Sequence, residues 1–486
     1  MRTLKSFPLK SLALALLAGV ALATPVFAQD KAASDKATSD KATSDKAASA
    51  EGTAHPAVLV GQAVLPAATF VAAPADAPAD LKTSGKFTNA DRKRIDQVGS
   101  VKGVSVLSDK AAPRETGLSL PFEGQPVQGF SGIVAEGDGR FWVLTDNGFG
   151  SKANSPDAML MAHRLKMDFK DGKIERVATI FLHDPDKKVP YPIVMEGTEK
   201  RYLTGADFDL ESIQVAGDSI WFGEEFGPFL IETDLAGKVK AVFETKVDGK
   251  VARSPDHPAV STPSAPDGKA AFNVYRSKGF EGMALSPDKT KLYALLEGPL
   301  FDAATGGKEK VGESEVLRIV EFDITKRDWT GRSWKYPLAV AGNAIGDFNM
   351  IDDTHGLIIE RDSLEGSRFK ACAEGKVEPT CFDKPAKFKR VYKVEFSPET
   401  AGQLVRKVGY IDLLAIKDPN GKARQGGTEG VLDMPFFTIE NVVVVSPTEI
   451  VVGNDNNLPY SAGRSPQKND DNEFVLLSVP DLLKGN

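Results

Sequence analysis

The stretch that decides the fold is Leu210–Phe229, which reads LESIQVAGDSIWFGEEFGPF. Glu211 opens a short run of β-forming residues, a Gly-Asp turn follows, and Ser219–Phe222 forms a second run that ends at Glu224 and Glu225. Two short runs of this kind joined by a tight turn are typical of a β-hairpin. The sequence therefore predicts a hairpin with carboxylates at the start of its first strand and at the end of its second.

The same pattern recurs four more times along the chain. Each copy has a small or acidic residue near its start, a polar turn, an apolar strand and a carboxylate where that strand ends. The copies recur roughly every 65–95 residues, and self-similarity of this kind is the sequence signature of a repeat architecture. The other copies are Phe130–Gly148, Phe280–Gly298, Ile345–Asp362 and Ile439–Asn457.

Further strand-like runs follow each hairpin, but the last copy has only one, Glu473–Val479. Four strands per unit, with the last unit one strand short, predicts an all-β protein of the β-propeller class whose final blade is closed by an N-terminal strand. Gly99–Leu107 is the candidate for that strand. We count five clear blades, and a sixth is possible in Glu196–Thr204, Phe272–Tyr275 or Leu413–Pro435. A β-sandwich does not explain the repeated acidic strand ends, and a β-helix needs a shorter period.

Residues 1–28 have the features of a secretory signal peptide. A positively charged start is followed by an apolar run at Ser11–Ala23 and a small-residue cleavage site that ends at Ala28. The alternative, a membrane anchor, is disfavoured because the apolar run is too short to span a bilayer comfortably. We expect cleavage after Ala28, a periplasmic or secreted location, and no membrane association of the mature protein.

The composition predicts a tether at residues 29–95 and the propeller domain at residues 96–486. Asp30–Ala48 repeats DKAAS and DKATS units, which are too polar and too rich in Ala and Ser to bury a core. Their alternating charges are also compatible with a transient helix. The remainder of the tether is rich in Ala and Pro.

The chain has two cysteines, Cys372 and Cys381, which lie close together in a polar insertion. In an oxidising compartment such a pair predicts a disulfide that pins a loop. Two free thiols or a metal pair are the alternatives, but no histidine lies nearby to complete a zinc site. The net charge of −7 argues against nucleic acid or an anionic membrane as the main partner. We expect a monomer that binds a small molecule.

Repeated acids at the strand starts and ends predict a cation site. In a propeller the innermost strands surround a central channel, so that equivalent positions of the repeats converge on one rim. Carboxylates gathered in one concavity repel each other unless cations neutralise them or some stay protonated. Oxygen ligands without histidine or cysteine suit Ca²⁺, or else Mg²⁺. Ion pairing with Arg and Lys on a solvated rim is the competing interpretation. The predicted ligands are Glu211, Glu224, Glu281, Asp347, Glu440 and Asp455.

Catalytic candidates follow from the same carboxylates. Glu225 and Asp146 are the predicted proton acceptors for a water activated by the cation. Arg361 and Arg464 are the best-placed cations for an anionic substrate, with pairing to neighbouring acids as the alternative. The chain lacks a G-x-S-x-G elbow, a phosphate-binding loop and a dinucleotide glycine pattern, and its five histidines are scattered.

Four segments together resemble the exported phytase-like family, which is described as having esterase-like activity of phytase. They are DLESI…IWFGEEFGPFLIETD from Asp209, GFEGMAL from Gly279, IGDF…LIIERD from Ile345 and IENV…VVGNDNNLPYS from Ile439. The resemblance extends over about residues 129–480 and implies a propeller-like hydrolase of phosphate or carboxylic esters. Together with the predicted cation site, it favours calcium-assisted hydrolysis of a phosphate ester. A calcium-dependent lactonase or carboxylesterase, and a non-catalytic periplasmic binding propeller, are the alternatives.

Overall fold

The computed structural model describes residues 51–89 and 93–484, and nearly all of their regular structure is β. The predicted signal peptide and the DKAAS repeats lie outside the described residues. Twenty strands build the main sheets: β1 (Val58–Leu65), β2 (Phe130–Gly137), β3 (Arg140–Thr145), β4 (Met161–Asp168), β5 (Lys173–Phe181), β6 (Leu210–Ala216), β7 (Ser219–Glu224), β8 (Phe229–Asp234), β9 (Val239–Glu244), β10 (Phe280–Leu285), β11 (Lys291–Leu296), β12 (Ser314–Asp323), β13 (Asp328–Pro337), β14 (Ala344–Met350), β15 (His355–Arg361), β16 (Lys389–Glu395), β17 (Arg406–Asp412), β18 (Thr438–Ser446), β19 (Glu449–Asp455) and β20 (Asn472–Ser478).

These strands form five antiparallel blades of four strands each, and the outer strands of blades 5 and 1 also meet in a parallel bridge between Val64 and Lys173. Blade 1 is β2-β3-β4-β5, blade 2 is β6-β7-β8-β9, and blade 3 is β10-β11-β12-β13. Blade 4 is β14-β15-β16-β17, and blade 5 is β18-β19-β20-β1. The first strands of the blades contact one another in a closed cycle, from β2 through β6, β10, β14 and β18 back to β2. The fold is therefore a five-bladed β-propeller. This confirms the predicted class, and of the two predicted blade counts, five and six, the structure has five.

An apolar cluster fills each of the five interfaces between neighbouring blades. Blade 2 shows how the sequence produces this arrangement. Its residues Ile213 and Phe222 pack against blade 1, whereas Trp221 and Leu230 pack against blade 3. Successive side chains of a strand point to opposite faces, so a strand that is apolar on both faces is buried between two blades.

The strand that closes blade 5 is β1, and the prediction of Gly99–Leu107 is wrong. β1 pairs antiparallel with β20, with Leu59 opposite Leu477 and Ala63 opposite Phe474. Val101–Val104 instead pairs with Glu115–Leu120 in a separate hairpin. β1 lies within residues 29–95, where composition predicts a tether, so this part of that stretch belongs to the propeller. The sequence around β1 is rich in Ala and Pro, and for this reason composition did not identify the run of alternating buried residues in β1 as a strand.

The remaining elements are short. The other strands are Thr53–Ala54, Phe70–Val71, Thr83–Ser84, Val101–Val104, Glu115–Leu120, Phe122–Glu123, Gln125–Pro126, Lys246–Val247, Lys250–Val251, Phe301–Asp302, Gly307–Lys308, Lys310–Val311, Ile416–Lys417, Gly427–Thr428 and Val431–Leu432. The helices are three 3₁₀ turns, Ala79–Lys82, Arg368–Lys370 and Pro398–Thr400, and the helix α1, Pro480–Lys484. Within the described part of the chain, none of the helices is long and apolar enough to cross a membrane.

The insertion between β15 and β16 carries the predicted disulfide. Cys372 and Cys381 are bonded, with their Cα atoms 5.0 Å apart. The bridge confirms the predicted pairing, and it fits a protein that folds in an oxidising compartment.

Candidate functional site

A β-bulge near the start of the first strand of each blade creates the site. In β6, Leu210 pairs with Glu224 and Ser212 pairs with Gly223, so Glu211 has no partner in the ladder. β10 and β18 skip Glu281 and Glu440 in the same way. A bulge re-aims the side chain of the unpaired residue. Carboxylate oxygens of Glu211, Glu281 and Glu440, which come from three different blades, lie within 4.8 Å of one another.

The other two blades place smaller residues at the bulge. In β2 the ladder skips Ser131 and Gly132, and the Ser131 hydroxyl donates a hydrogen bond to Oε2 of Glu440 at 3.0 Å. In β14 the ladder skips Gly346 and Asp347, and Gly346 takes the place of the bulge glutamates. A Cβ at Gly346 would lie 2.2 Å from the carbonyl oxygen of Ile439, so no side chain fits there.

The second strand of each blade supplies another set of equivalent positions. In each blade, one residue of the second strand pairs with the residue just before the bulge, and the position in question is the next residue along the chain. In blade 2, for example, Glu225 follows Glu224, which pairs with Leu210. Four of the five positions are acidic and the fifth, in blade 4, is arginine. The five residues are Asp146, Glu225, Glu297, Arg361 and Asp455.

The carboxylates from both sets gather in one place, which we call the channel basin. Its members are Asp146, Asp209, Glu211, Glu225, Glu281, Glu297, Glu440 and Asp455. Six of them form three overlapping groups of three, each with oxygens within 4.8 Å of one another: Asp209-Glu211-Glu225, Glu211-Glu281-Glu440 and Glu225-Glu281-Glu297. The geometry thus brings together Glu211, Glu225, Glu281 and Glu440, which the sequence predicts as site residues.

Sequence reasoning did not assign two members of these groups. Asp209 lies immediately before β6, within the quoted segment DLESI, and Glu297 occupies the position in blade 3 that Glu225 occupies in blade 2. Aligning the repeats so that Glu225 and its equivalents coincide would have assigned Glu297 to the site. Asp209 has no acidic counterpart at the same position in the other repeats, so the repeat pattern carries no signal for it.

Arg361 neutralises one side of the basin. Its Nη2 lies 2.9 Å from Oε1 of Glu440, 3.3 Å from Oε1 of Glu297 and 3.6 Å from Oε1 of Glu281. Lys278 forms a further ion pair with Glu297. The sequence predicts Arg361 as a substrate-binding residue, and the structure shows that it also pairs with the basin acids.

The opposite side of the basin has no such partner. Among the described residues, no lysine or arginine forms an ion pair with Asp209, Glu211 or Glu225. Oε1 of Glu225 is buried and has no hydrogen-bond partner among the described residues. Buried polar atoms are usually satisfied, so an unsatisfied carboxylate oxygen at this place points to a missing ligand.

The electrostatics of the basin reflect this imbalance. Burial raises the pKa of Asp209 to about 6. Burial, with repulsion from Asp209 and Glu281, raises the pKa of Glu211 well above its ordinary value. Burial and repulsion from Glu297 do the same to the pKa of Glu225. The raised pKa values favour protonation where positive charge is lacking, and carboxylate oxygens of Asp209 and Glu211 lie within 4.8 Å of each other.

Asp146 and Asp455 lie at the edge of the basin, between blades 5 and 1. Oδ1 of Asp146 accepts a hydrogen bond from the Gly148 N–H at 2.7 Å, and Oδ1 of Asp455 accepts one from the Asn457 N–H at 2.7 Å. Burial and repulsion from Asp455 raise the pKa of Asp146. Burial and repulsion from Glu440 raise the pKa of Asp455 to about 7. Asp146 keeps partial exposure, unlike the other basin acids.

Glu224, a predicted ligand, does not join the three groups. Its Oε1 accepts hydrogen bonds from the N–H groups of Gly227 and Phe229, both at 2.7 Å, and its Oε2 accepts one from Phe226 at 2.8 Å. Glu224 lies within the ladder opposite Leu210, so its side chain points away from that of Glu225. Its carboxylate fixes the turn after β7.

Asp347, another predicted ligand, also lies outside the three groups. It is one residue beyond the bulge position, and its side chain accepts hydrogen bonds from the N–H of Phe348 at 2.7 Å and from the N–H of Val442 at 3.1 Å. Burial raises the pKa of Asp347 to about 7. Asp347 therefore joins β14 to β18, and the sequence-based assignment is displaced by one position.

Arg464, the second predicted substrate-binding residue, is occupied by structural contacts. Its Nη2 lies 2.8 Å from Oε2 of Glu473 and its Nη1 lies 3.1 Å from Oδ1 of Asp433. The guanidinium also stacks on the Phe436 ring, 4.9 Å from the ring centroid. Its described ion pairs are with Glu473 and Asp433 and include none of the basin acids.

Several solved structures align with the chain at very low sequence identity and with TM-scores below 0.5. A glutaminyl cyclase of Myxococcus xanthus aligns with 10% identity and a TM-score of 0.29, over 72% of this chain and 91% of its own. A periplasmic gluconolactonase of Pseudomonas aeruginosa aligns with 12% identity and a TM-score of 0.29, over 79% of this chain and 97% of its own. An aldose sugar dehydrogenase of Streptomyces coelicolor in its PQQ-bound form aligns with 10% identity and a TM-score of 0.29, over 79% and 95%. Similarity at this level supports no functional conclusion, and the fold rests on the strand pairing itself.

Comparison of the sequence with known proteins identifies the family. No curated protein sequence matches the chain significantly. A family model does match, and it spans residues 125–458, from just before β2 to just after β19. The matched region includes every member of the channel basin. The chain therefore belongs to the Phytase-like family, whose description is "esterase-like activity of phytase".

Proposed function

We propose that this protein is an ester hydrolase assisted by a divalent cation, and that its reaction takes place at the channel basin. The observation that carries the proposal is the group Asp209-Glu211-Glu225, three buried carboxylates that converge without a positive partner. Uncompensated buried charge of this kind is costly, so such a group persists when a ligand neutralises it.

The residues fit a hard cation. The group offers oxygen ligands alone, as Ca²⁺ and Mg²⁺ require, and Oε1 of Glu225 is free to accept a ligand. Asp209, Glu211 and Glu225 would hold the ion. A bound cation of this type supplies positive charge that stabilises an ester oxygen as negative charge develops on it, and lowers the pKa of water.

We expect one cation per chain. Arg361 already provides positive charge to Glu281, Glu297 and Glu440, which belong to the other two groups. Its guanidinium therefore takes the role of a second cation on the blade 4 side. This position lets Arg361 also contact the polar end of a substrate, as the sequence predicts.

Asp146 is the best candidate for the proton acceptor. It is partly exposed, and its raised pKa makes it a stronger base than an ordinary aspartate once it is ionised. Glu225, the other predicted proton acceptor, belongs to two of the three carboxylate groups and is better suited to hold the cation. Asp146 would accept the proton of the attacking water, which Asp455 beside it would help to orient.

The charge of the basin bears on the substrate. Eight carboxylates face two fixed cations, Arg361 and Lys278. One divalent ion does not reverse this excess, so an ester that is uncharged at the reacting group, such as a lactone or a carboxylic ester, meets less repulsion than a phosphate. A phosphate ester, which the sequence favours, would require more ions at the other groups. We further propose a periplasmic or secreted location, which the disulfide supports.

The first experiment measures cation dependence. The protein is stripped with EGTA and EDTA, and Ca²⁺ or Mg²⁺ is titrated by calorimetry. We expect one Ca²⁺ per chain for the wild type, no binding for Glu211→Gln, and wild-type binding for the exposed control Glu199→Gln. Binding that Glu211→Gln leaves intact would place the ion elsewhere.

The second experiment tests turnover. The calcium-loaded protein is assayed with a γ-lactone, an aryl acetate, an aryl phosphate and phytate. Hydrolysis of any of these that disappears on chelation and returns with Ca²⁺ supports the proposal. Activity that survives exhaustive chelation contradicts it, and a protein that binds Ca²⁺ but hydrolyses none of the four is a binding propeller.

A further inference from the structure

A cavity that we call the side cavity is lined by none of the channel-basin acids. It has a volume of about 430 Å³, within the range of small-molecule sites. Three segments of the chain line it: residues 107–114, residues 364–365 and residues 377–384. The last two belong to the disulfide-bonded insertion between β15 and β16, which follows Arg361.

The floor of this side cavity is built around Arg114. The residue is only 5% exposed, and its Nη2 donates to Oε1 of Glu365 at 2.6 Å and to Oγ of Ser105 at 3.0 Å. Its Nη1 is buried and has no hydrogen-bond partner in the part of the chain that the structure describes. Glu365 is itself saturated, because its Oε2 accepts hydrogen bonds from Ser461 at 2.7 Å and from Ala462 at 3.2 Å. One donor arm of a buried guanidinium is therefore left for a ligand.

The walls of the cavity combine apolar side chains with charged ones. The apolar residues include Leu107, Val377 and Phe382, and the charged ones are Asp109, Lys110, Glu378, Asp383 and Lys384. The Phe382 ring lies under the guanidinium of Arg114, 4.9 Å from its centroid, and fixes the plane of the group. Leu107 and Val377 are 39% and 43% exposed, which is unusual for large apolar side chains that line a concave site. Cys381 of the disulfide completes one wall.

We propose that the side cavity binds a small organic carboxylate with an apolar body. One carboxylate oxygen would accept a charge-assisted hydrogen bond from the unpartnered Nη1 of Arg114. The apolar body would cover Leu107, Val377 and the Phe382 ring, removing exposed apolar surface from water. The assignment is independent of the proposed hydrolase activity.

The test uses benzoate as the probe and benzyl alcohol as its uncharged counterpart. Binding to the full-length protein is measured by calorimetry and saturation-transfer NMR, in EGTA so that no cation in the basin contributes. We expect benzoate to bind the wild type at least 10-fold more tightly than benzyl alcohol does. Equal binding of the two probes, or no binding of benzoate, overturns the proposal.

Two variants locate the binding. Val377→Trp fills the cavity from an exposed position and is expected to weaken benzoate binding at least 10-fold, whereas Val445→Trp, at an exposed valine of blade 5, leaves it unchanged. Arg114→Lys keeps the charge but removes the free arm, and is expected to weaken binding similarly. The melting temperature of each variant is measured beside its affinity, so that a folding defect is recognised. Benzoate affinity that Val377→Trp leaves at the wild-type value contradicts the assignment.

Discussion

The blade 2 side and the blade 4 side of the basin come from the same repeat but have opposite electrostatics. Blade 2 places Glu211 at the bulge and Glu225 after the second strand, and neither has a cationic partner. Blade 4 places Gly346 and Arg361 at the same two positions. The backbone of Ile439 leaves no space for a side chain at Gly346, and the Arg361 guanidinium pairs with Glu440, Glu297 and Glu281. The comparison indicates that Gly346 and Arg361 give the blade 4 side a positive charge at the two positions where blade 2 has glutamates.

Removing the built-in cation is expected to have the largest effect. Arg361→Gln leaves Glu281, Glu297 and Glu440 buried without their main counter-charge, and breaking a buried ion pair from one side costs about 3–5 kcal/mol. We expect the free energy of unfolding in EGTA to fall by about this amount, and calorimetry to show two bound Ca²⁺ instead of one.

Lys278→Gln is the matched control, because Lys278 pairs with Glu297 alone among the basin acids. We expect a smaller loss of stability and one bound Ca²⁺. An Arg361→Gln protein that still binds a single ion would show that the arginine does not stand in for a cation.

The next largest effect is expected on the blade 2 side. Glu211→Gln removes a carboxylate that belongs to two of the three groups, and we expect kcat/KM to fall by at least about 100-fold, as for loss of an electrostatic stabiliser in other active sites. The cation-free protein should be as stable as the wild type or more stable, because repulsion with Asp209 and Glu281 is relieved. Parallel loss of stability and activity would instead indicate a structural glutamate.

A third prediction concerns pH. Burial raises the pKa of Asp455 to about 7 and that of Glu224 to about 8, whereas unfolded carboxyls titrate near 4. The folded chain therefore keeps protons that the unfolded chain has released. The stability that these retained protons contribute to the folded state is complete near pH 4, and it is lost as the pH rises through 7 to 8.

We expect the free energy of unfolding in EGTA to fall by at least about 2 kcal/mol between pH 6.5 and pH 8. Asp347 and Asp470 add to the loss, because burial raises their pKa values to about 7 and about 8. Burial lowers the pKa of His163 to about 3, which acts in the opposite sense but only below about pH 6.5, where unfolded histidines titrate. Saturating Ca²⁺ should remove the part of this pH-dependent loss of stability that comes from the basin acids. The part that comes from Glu224, which lies outside the three carboxylate groups, should remain. Urea titrations at the two pH values measure this, and stability that rises with pH in EGTA is the contrary result.

The smallest effect separates two adjacent residues. Glu224→Gln weakens the hydrogen bonds from Phe226, Gly227 and Phe229, and we expect a loss of about 1–2 kcal/mol of stability with cation binding retained. Glu225→Gln is expected to do the reverse, with unchanged stability in EGTA and weakened Ca²⁺ binding. Equal effects of the two substitutions on Ca²⁺ affinity would show that the side chains of Glu224 and Glu225 do not point to different sides of the strand.

Much of the site was within reach of the sequence, since the repeat identified Glu211, Glu225, Glu281, Glu440 and Arg361 as equivalent strand-end residues. Register was the part that sequence reasoning misjudged. A one-residue slip sends a side chain to the opposite face of a strand, and a bulge adds such a slip at every inner strand here. Periodicity counted along the chain cannot detect an unpaired residue, because the ladder that skips it involves a neighbouring strand.

The sequence by itself determined the hairpins, the repeated acids, the disulfide and the family, because each is recognised from short contiguous segments without knowing how those segments pack. Only the tertiary structure decided which strand closes blade 5 and which acids share a basin. β1 gains its stability from pairing with β20. The paired residues are more than 400 positions apart in the sequence, as Val58 and Ser478 are. The pairing of Arg361 with acids of blades 3 and 5 likewise exists only once the ring of blades is closed.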